Sequence, residues 1–333
     1  MKVTENTTYR MLQTNLDRIT NRLEDLRLQG ATGTKLNKPS DDPALIRPVL
    51  TTRTQIRTTD RYLETMGVSL DKMQATDSHL GHIENIMQRA KEIGINAANG
   101  SMSSQDLNTL ADEVGFLQEE LLDAGNASVD GKYIFAGYQE NTKPFTVNTG
   151  YTDAGYDPGN PATWPVQYNG DGHPTELEIT PGEKLEVTLT GNDLFRGVSN
   201  ANYQSDPNSL PDSGRVDLFT VLQRMEDSIR DGNIDDATPT DPGDGIQQGI
   251  ADLEVAADQN RRLRSQLGNR AGRVESATRA QEDVKVDLEQ ILSRYQDADA
   301  IETFNAIIQQ ENAFRAALNI TSKVSDISIL DFM

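Results

Sequence analysis

The chain has no cysteine, three histidines and one tryptophan among its 333 residues. Without cysteine there is no disulfide framework, no thiolate nucleophile and no Cys-based zinc site. Apolar residues make up 35% and aromatic residues 5% of the chain, with a mean hydropathy of −0.60. That is a poor supply of core material for an enzyme-like globule of this length, and it points instead to an elongated, surface-rich molecule of roughly two or three units. No run approaches the ~18 consecutive apolar residues of a membrane span, so membrane insertion is not expected. The start, MKVTENTTYRM, has no apolar h-region, so export by a cleavable signal is not expected either.

Basic residues are scarce and unevenly placed. The net charge is −21; residues 1–60 carry ten Lys or Arg against seven Asp or Glu, while residues 138–245 carry six against nineteen. Nucleic acid is not expected as a partner, because phosphate binding wants a basic stripe that the acidic middle would oppose. Neither G-x-x-x-x-G-K-[ST] nor G-x-G-x-x-G occurs, so no phosphate cradle is offered and no cofactor is expected.

Proline is absent from residues 49–143 and after 242, while three prolines fall at 39, 43 and 48 and ten between 144 and 242. Proline breaks helices, so two long stretches are free to be helical. In the first segment Tyr9, Leu12, Leu16, Ile19, Leu23 and Leu26 step 3, 4, 3, 4, 3, a heptad seam that ends at Gly30 and Gly33. Leu63, Met66, Leu70, Met73, Leu80, Ile83, Met87 and Ala90 continue a helical stripe that should stop near Asn99 and Gly100 in a left-handed cap. Ser103 with Asp106 then opens the next helix, whose Leu107, Leu110, Val114, Leu117, Leu121 and Ala124 form an antiparallel partner for the one before.

From Gly131 the pattern changes. Leu177, Ile179, Leu185, Val187 and Leu189 alternate with polar residues between Gly, Pro and Asn turns, as strands and hairpins do. Helix returns at Val216–Arg230 and again from Ile246, where Val284, Leu288, Ile291, Tyr295 and Ala298 lead into a drifting stripe of Ile301, Phe304, Ile308, Phe314, Leu318, Val324 and Ile327. The expected fold is mainly α, an elongated helical bundle or coiled coil formed by the N- and C-terminal segments. Residues 1–40 and 300–333 are its paired terminal helices, 41–137 and 215–299 its bundle, and 138–214 an inserted small β-rich domain. A lone terminal helix buries too little to order itself, so the ends are expected to pair with each other or with neighbouring subunits.

Candidate chemistry is thin. The histidines His79, His82 and His173 stand in no nucleophile motif, and His79 with His82 lacks the repeated Glu-x-x-His pairs of a di-metal bundle. No catalytic residue and no metal site is assigned. YNGDGHP (168–174) lacks calcium-loop register and reads as a tight turn. The basic run RRLRSQLGNRAGR (261–273) is expected to pair with carboxylates of adjacent helices. LNKPSDDPALI (36–46) sets Asp41 and Asp42 beside Ser40 between Pro39 and Pro43. Pro39 ends the preceding element, Ser40 or Asp41 can cap the next helix, and Pro43 falls in its first turn, where a missing N–H costs nothing.

GTKLNKPSDDPALI, INAANGSMSSQDLNTLADEV, GKYIFAGYQENTKPF and the terminal FNAIIQQENAFRAALNITSKVSDISILDFM, in this order, resemble the flagellin-like hook-associated protein 3 family, the bacterial hook–filament junction proteins. The likeness spans residues 1 to about 145 and 216–333, with VQYNGDG and TGNDLF recognisable between them. It implies a structural protein, not an enzyme, with an inner layer of paired terminal helices, a second helical layer and an outward β domain. It also implies export through the flagellar type III apparatus to an extracellular position at the junction. The implied partners are hook-associated protein 1, flagellin, further copies of itself in a ring, and a cytoplasmic export chaperone. Carried onto this chain, the assembly residues are Leu12, Leu16, Ile19, Leu23, Leu26, Ile301, Phe304, Ile308, Phe314 and Leu318, with Pro39–Pro43 as a structural corner. A flagellin filament subunit is the alternative; flagellins usually show an AKDDAAG-like stretch where this chain has KPSDDPALI. A secreted coiled-coil enzyme is the rival from another class, and it lacks a convergent set of His or carboxylate residues.

Overall fold

The computed structural model describes residues 2–100, 102–152, 155–234, 236–238 and 241–330, with side chains described for Thr7 and for 10–323 in those spans outside 236–244. The chain divides into two compact units, Met1–Arg61 with Glu282–Met333, and Tyr62–Gln281. The sequence expectation placed the boundaries at 40/41 and 299/300 and set 138–214 apart as a third body.

In the first unit α1 (Lys2–Thr32) packs against α8 (Ala300–Leu330), and the start of α2 (Pro43–Ala97) lies along the end of α7 (Ile246–Gln296). Arg53 donates to Gln296 Oε1 at 2.7 Å and Lys285 meets Asp60 at 2.8 Å, which fixes the α2 and α7 stretches as antiparallel. Val49, Thr52 and Thr59 form the buried face of this part of α2.

An unbroken helix from Ile246 nearly to the chain end does not form. α7 stops at Gln296, where the Asp297 N–H still bonds Ser293 O at 2.8 Å. Asp299 then takes the first free N–H groups of α8, accepting from Ile301 N at 2.8 Å and Glu302 N at 3.1 Å. Asp is a good cap because its short carboxylate competes for such groups, so Asp299 starts a new helix three residues after α7 ends.

The second unit is a helical bundle. α3 (Ser104–Gly125) runs antiparallel to α2, with Arg89 on Glu113 and His82 Nε2 3.2 Å from Glu120. α7 also runs antiparallel to α2, through Lys91 with Glu254 at 3.1 Å and Asp77 with Arg264 at 2.7 Å. α6 (Leu218–Asp231) packs on α3. The core between them contains Met66, Met73, Leu80, Ile83 and Met87 of α2, Val114 and Leu121 of α3, Leu222, Met225 and Ile229 of α6, and Leu253, Leu263 and Leu267 of α7. Ser103 and Asp106 close the expected cap of α3 as a reciprocal capping box. The end of α2 differs from expectation: Ala98 N bonds Gly94 O and Asn99 N bonds Asn96 O, and neither Asn99 nor Gly100 takes a positive φ.

The inserted region holds short antiparallel hairpins joined by turns. β1 (Ser128–Val129) pairs with β2 (Lys132–Tyr133) across Asp130–Gly131, both at positive φ; β3 (Phe145–Val147) pairs with β4 (Val166–Tyr168); β5 (Glu176–Thr180) pairs with β6 (Glu183–Glu186). Two short helices follow, α4 (Gly191–Leu194) and α5 (Asn200–Ser205), and a last hairpin, β7 (Asp236–Thr238) with β8 (Asp241–Asp244), precedes α7. The alternating Leu177, Ile179, Leu185, Val187 and Leu189 are all buried.

Aromatic packing explains why this region does not separate from the bundle. Phe145 lies 4.8 Å from Phe195, 5.1 Å from Phe219 of α6 and 5.0 Å from Tyr168 between ring centres, and Phe135 lies 5.3 Å from Phe195. Gly125 at the end of α3 admits this cluster, since a Cβ there would sit 3.0 Å from Phe145 Cδ2. Fully buried rings in edge and tilted contact join insertion and bundle into one core.

Candidate assembly site

The terminal pair is built from two seams. On α1 the heptad face turns toward α8, with Leu23 and Leu26 buried and Leu12, Leu16 and Ile19 half-buried. Gln310 Nε2 donates to Ile19 O at 3.2 Å, Arg27 meets Glu311 at 2.8 Å, and a Cβ on Gly30 would lie 3.2 Å from Ile307 Cδ1. Thr34 bridges Asp297, Gly30 lies against Thr303 and Ile307, and Arg27 reaches Glu311, so decreasing numbers on α1 meet increasing numbers on α8 and the pair is antiparallel. The Arg27–Glu311 contact is exposed and contributes well under ~1 kcal/mol, so apolar burial holds the pair.

The pair is fastened where the two chain segments pass one another. Gly33 takes φ +68° just beyond α1, a left-handed step that glycine makes without strain. Thr34 then forms a backbone bridge with Asp297, Lys35 N donates to Gln296 O at 2.8 Å, and Ala298 N donates to Gly33 O at 2.9 Å.

Next comes the proline corner. Asp41 Oδ2 accepts from Asn37 N at 2.9 Å and Lys38 N at 2.7 Å, so this carboxylate secures the loop before it. Asp42 Oδ1 accepts from Ala44 N at 2.9 Å and Leu45 N at 3.2 Å, with Pro43 the first residue of α2. The cap is therefore Asp42, not Ser40 or Asp41 as the sequence suggested. Pro43 supplies no N–H, so the carboxylate one residue earlier is the one that reaches the first available donors. Pro39 and Ser40 are exposed.

Residues 3–140 match the family description "Bacterial flagellin N-terminal helical region". Flagellar hook-associated protein 3 of Escherichia coli K12 is 24% identical over 328 residues, which cover 97% of each chain. End to end, the chain resembles flagellar hook-associated protein 3. Polar flagellin A of Vibrio parahaemolyticus is 21% identical over 336 residues and 88% of each chain. The crystal structure of flagellar hook-associated protein 3 from Legionella pneumophila superposes with a TM-score of 0.58 at 18% identity, covering 74% of this chain and 98% of that one. The fold is thus flagellin-like, mainly helical with a small β-rich insertion.

The C-terminal seam lies on a different face of α8 from the apolar stripe read in the sequence. Thr303, Ile307, Gln310, Phe314, Ala317 and Thr321 are all buried or half-buried, and they recur at steps of four, three, four, three and four. Of the sequence-marked residues only Phe314 belongs to this row. Ile301 is 76% exposed and Phe304 59%, and Ile308 and Leu318 are exposed beside them. Hydrophobicity could not find the inner row because half of its members are Thr or Gln. A 3,4 step taken without polarity fits every register of a helix, so burial against α1 is what identifies this row.

The remaining candidates resolve as local structure. Burial, and then the neighbouring His82, pull the His79 pKa below its ordinary value. No group of three or more His, Asp or Glu among the described residues is placed to hold a metal ion. Arg261 meets Asp258 on its own helix and Glu84, Arg264 meets Asp77 and Glu84, Arg270 meets Glu186, and Arg273 meets Glu183. In YNGDGHP, Asp171 Oδ1 accepts from His173 N at 3.0 Å, which closes the turn on its own backbone, and from Tyr138 N at 2.9 Å, which ties the turn to the segment before β3. No helix among the described residues is long and apolar enough to cross a membrane.

Proposed function

We propose that this chain is a structural subunit of the bacterial flagellum, placed at the hook–filament junction, which polymerises through its terminal helices and adapts the hook to the flagellin filament. The observation that carries the reading is the apolar row of α8 that α1 leaves uncovered. One row is spent on α1, and a second row, Ile301, Phe304, Ile308 and Leu318, remains on the surface. A helix with a solvated apolar stripe beside a satisfied one is built to meet another surface. The full-length similarity to flagellar hook-associated protein 3 supports the junction over the filament, and the 88% match to a polar flagellin makes a filament subunit the second reading.

On this reading the partners are hook-associated protein 1, flagellin, further copies of the chain in a ring and, before export, a cytoplasmic chaperone. The site is extracellular, and no reaction is assigned to the chain. Deleting residues 1–28 should leave a folded second unit that no longer incorporates at the junction. Normal incorporation of that truncation, followed by imaging of the hook–filament boundary in flagellated cells, would sink the proposal.

A further inference from the structure

Two exposed faces on this chain have complementary chemistry. α3 contains no basic residue, and on its outer face Phe116 stands 69% exposed. Asp112 lies one turn before Phe116, Glu119 and Glu120 one turn after it, and Asp123 two turns after it. Arg230 meets Asp112 at 2.9 Å and His82 meets Glu120 at 3.2 Å, while no ion pair among the described residues reaches Glu119 or Asp123. The ring adds nothing to the core and is ringed by carboxylates.

The opposite arrangement occurs at the start of α2. There Val49, Thr52 and Thr59 are buried, and the face turned away from them presents Leu50, 52% exposed, among the exposed Arg47, Arg53 and Arg57. The stretch Pro43–Thr59 contains no carboxylate. Arg53 donates to the neutral Gln296 and Arg57 to the backbone of Arg53, so among the described residues none of the three arginines meets an acid. At ~1.5 Å per residue, Arg47 to Arg57 spans about 15 Å and Asp112 to Asp123 about 16 Å. An apolar residue at the centre and opposite charges at matched reach give the two faces both a hot spot and a register.

We propose that the α3 face around Phe116 docks on the α2 face around Leu50 of a second copy of the chain. Phe116 covers Leu50, Arg53 and Arg57 face Glu119, Glu120 and Asp123, and an arginine plane can lie on the ring. This contact rests on the self-assembly reading but uses neither α1 nor α8, so the two can fail separately.

Because the full-length chain has no cysteine, Thr54→Cys chains and Glu120→Cys chains can be mixed and joined with a flexible bis-maleimide linker. A mixed dimer is expected in the purified chain or in the assembled flagellar fraction, with a yield that falls as salt is raised. Glu119→Lys with Asp123→Lys in one chain, or Arg53→Glu with Arg57→Glu in the other, should lower the yield by roughly tenfold, and combining the two reversed chains should restore it. Far-ultraviolet circular dichroism of each variant separates loss of contact from loss of fold. Absence of the dimer in both preparations, a yield indifferent to charge reversal, or failure of the swapped pair to recover would each overturn the proposal. The last outcome would mean that the acidic face serves a different basic protein. Normal incorporation of the chain lacking residues 1–28 would instead count against the terminal-helix reading and leave this cross-link to be judged on its own yield.

Discussion

Met225 Cε stands 1.9 Å from the place that a β-carbon on Gly94 would occupy. The same side chain reaches Gly249, where a β-carbon would lie 3.2 Å from Met225 Sδ, so one methionine of α6 fills the space left by glycines on α2 and α7. Gly94→Ala should gain up to about 1 kcal/mol of helix propensity. It should lose about 1–3 kcal/mol to overpacking, a net loss of roughly 1 kcal/mol. In a Met225→Ala background the space is open and the same change should become neutral or stabilising. Urea unfolding of the four chains checks this, and additive effects would contradict the packing account.

Asp42→Ala removes the carboxylate that caps α2 and should cost about 1 kcal/mol, whereas Ser40→Ala should be close to silent. Asp41→Ala should loosen residues 37–38 and leave the helix start intact, because its bonds run backward to Asn37 N and Lys38 N. Hydrogen exchange at Ala44 and Leu45, compared with Asn37 and Lys38, separates the two aspartates.

Asp217 begins α6 with its Oδ1 accepting from Thr220 N at 2.7 Å, and burial raises its carboxyl pKa above the ordinary 3.8. The folded form therefore binds its proton more tightly than the unfolded chain does. The stability from this group is full below the unfolded value and is lost as pH rises from there through the raised folded value. Asp217→Asn keeps an N-capping oxygen without a buried charge. It should match the parent near pH 3, exceed it at pH 7, and flatten the pH dependence of thermal unfolding between them.

The two rows of α8 can be told apart by stability. Leu23→Ala and Leu26→Ala remove buried side chains from the α1 seam and should each cost about 2 kcal/mol or more within the terminal pair. Ile301→Ala and Phe304→Ala should cost under about 0.5 kcal/mol in the isolated chain, because both are exposed. Helicity of the terminal pair against temperature reports the first effect, and incorporation into flagella reports the second.

The terminal pairing was legible on α1, where, among the described residues, most of the large apolar ones share one face and only Met11 and Leu28 are exposed off it. Tyr9 to Leu26 repeat cleanly, and the helix they predict is the helix that forms. α8 carries apolar residues on two faces, so the stripe from Ile301 to Leu318 was visible while its inner row, with Thr303 and Gln310, was not. The capping residue at the corner turned on a single position, because Pro43 itself has no N–H and the first free donors, Ala44 and Leu45, are within reach of Asp42. The link between the insertion and the bundle depends on Phe135, Phe145, Phe195 and Phe219, which are far apart along the chain and have no common period. Contacts of that kind follow from tertiary packing alone.

The backbone bridge between Thr34 and Asp297 makes the residues between them a loop closed at its neck. Lengthening or shortening a hairpin inside that loop leaves the distance between its two ends unchanged. The chain can thus be remodelled between Lys35 and Gln296 without altering the paired helices that its neighbours would meet, and a load applied along α1 passes to α8 through backbone hydrogen bonds at the neck.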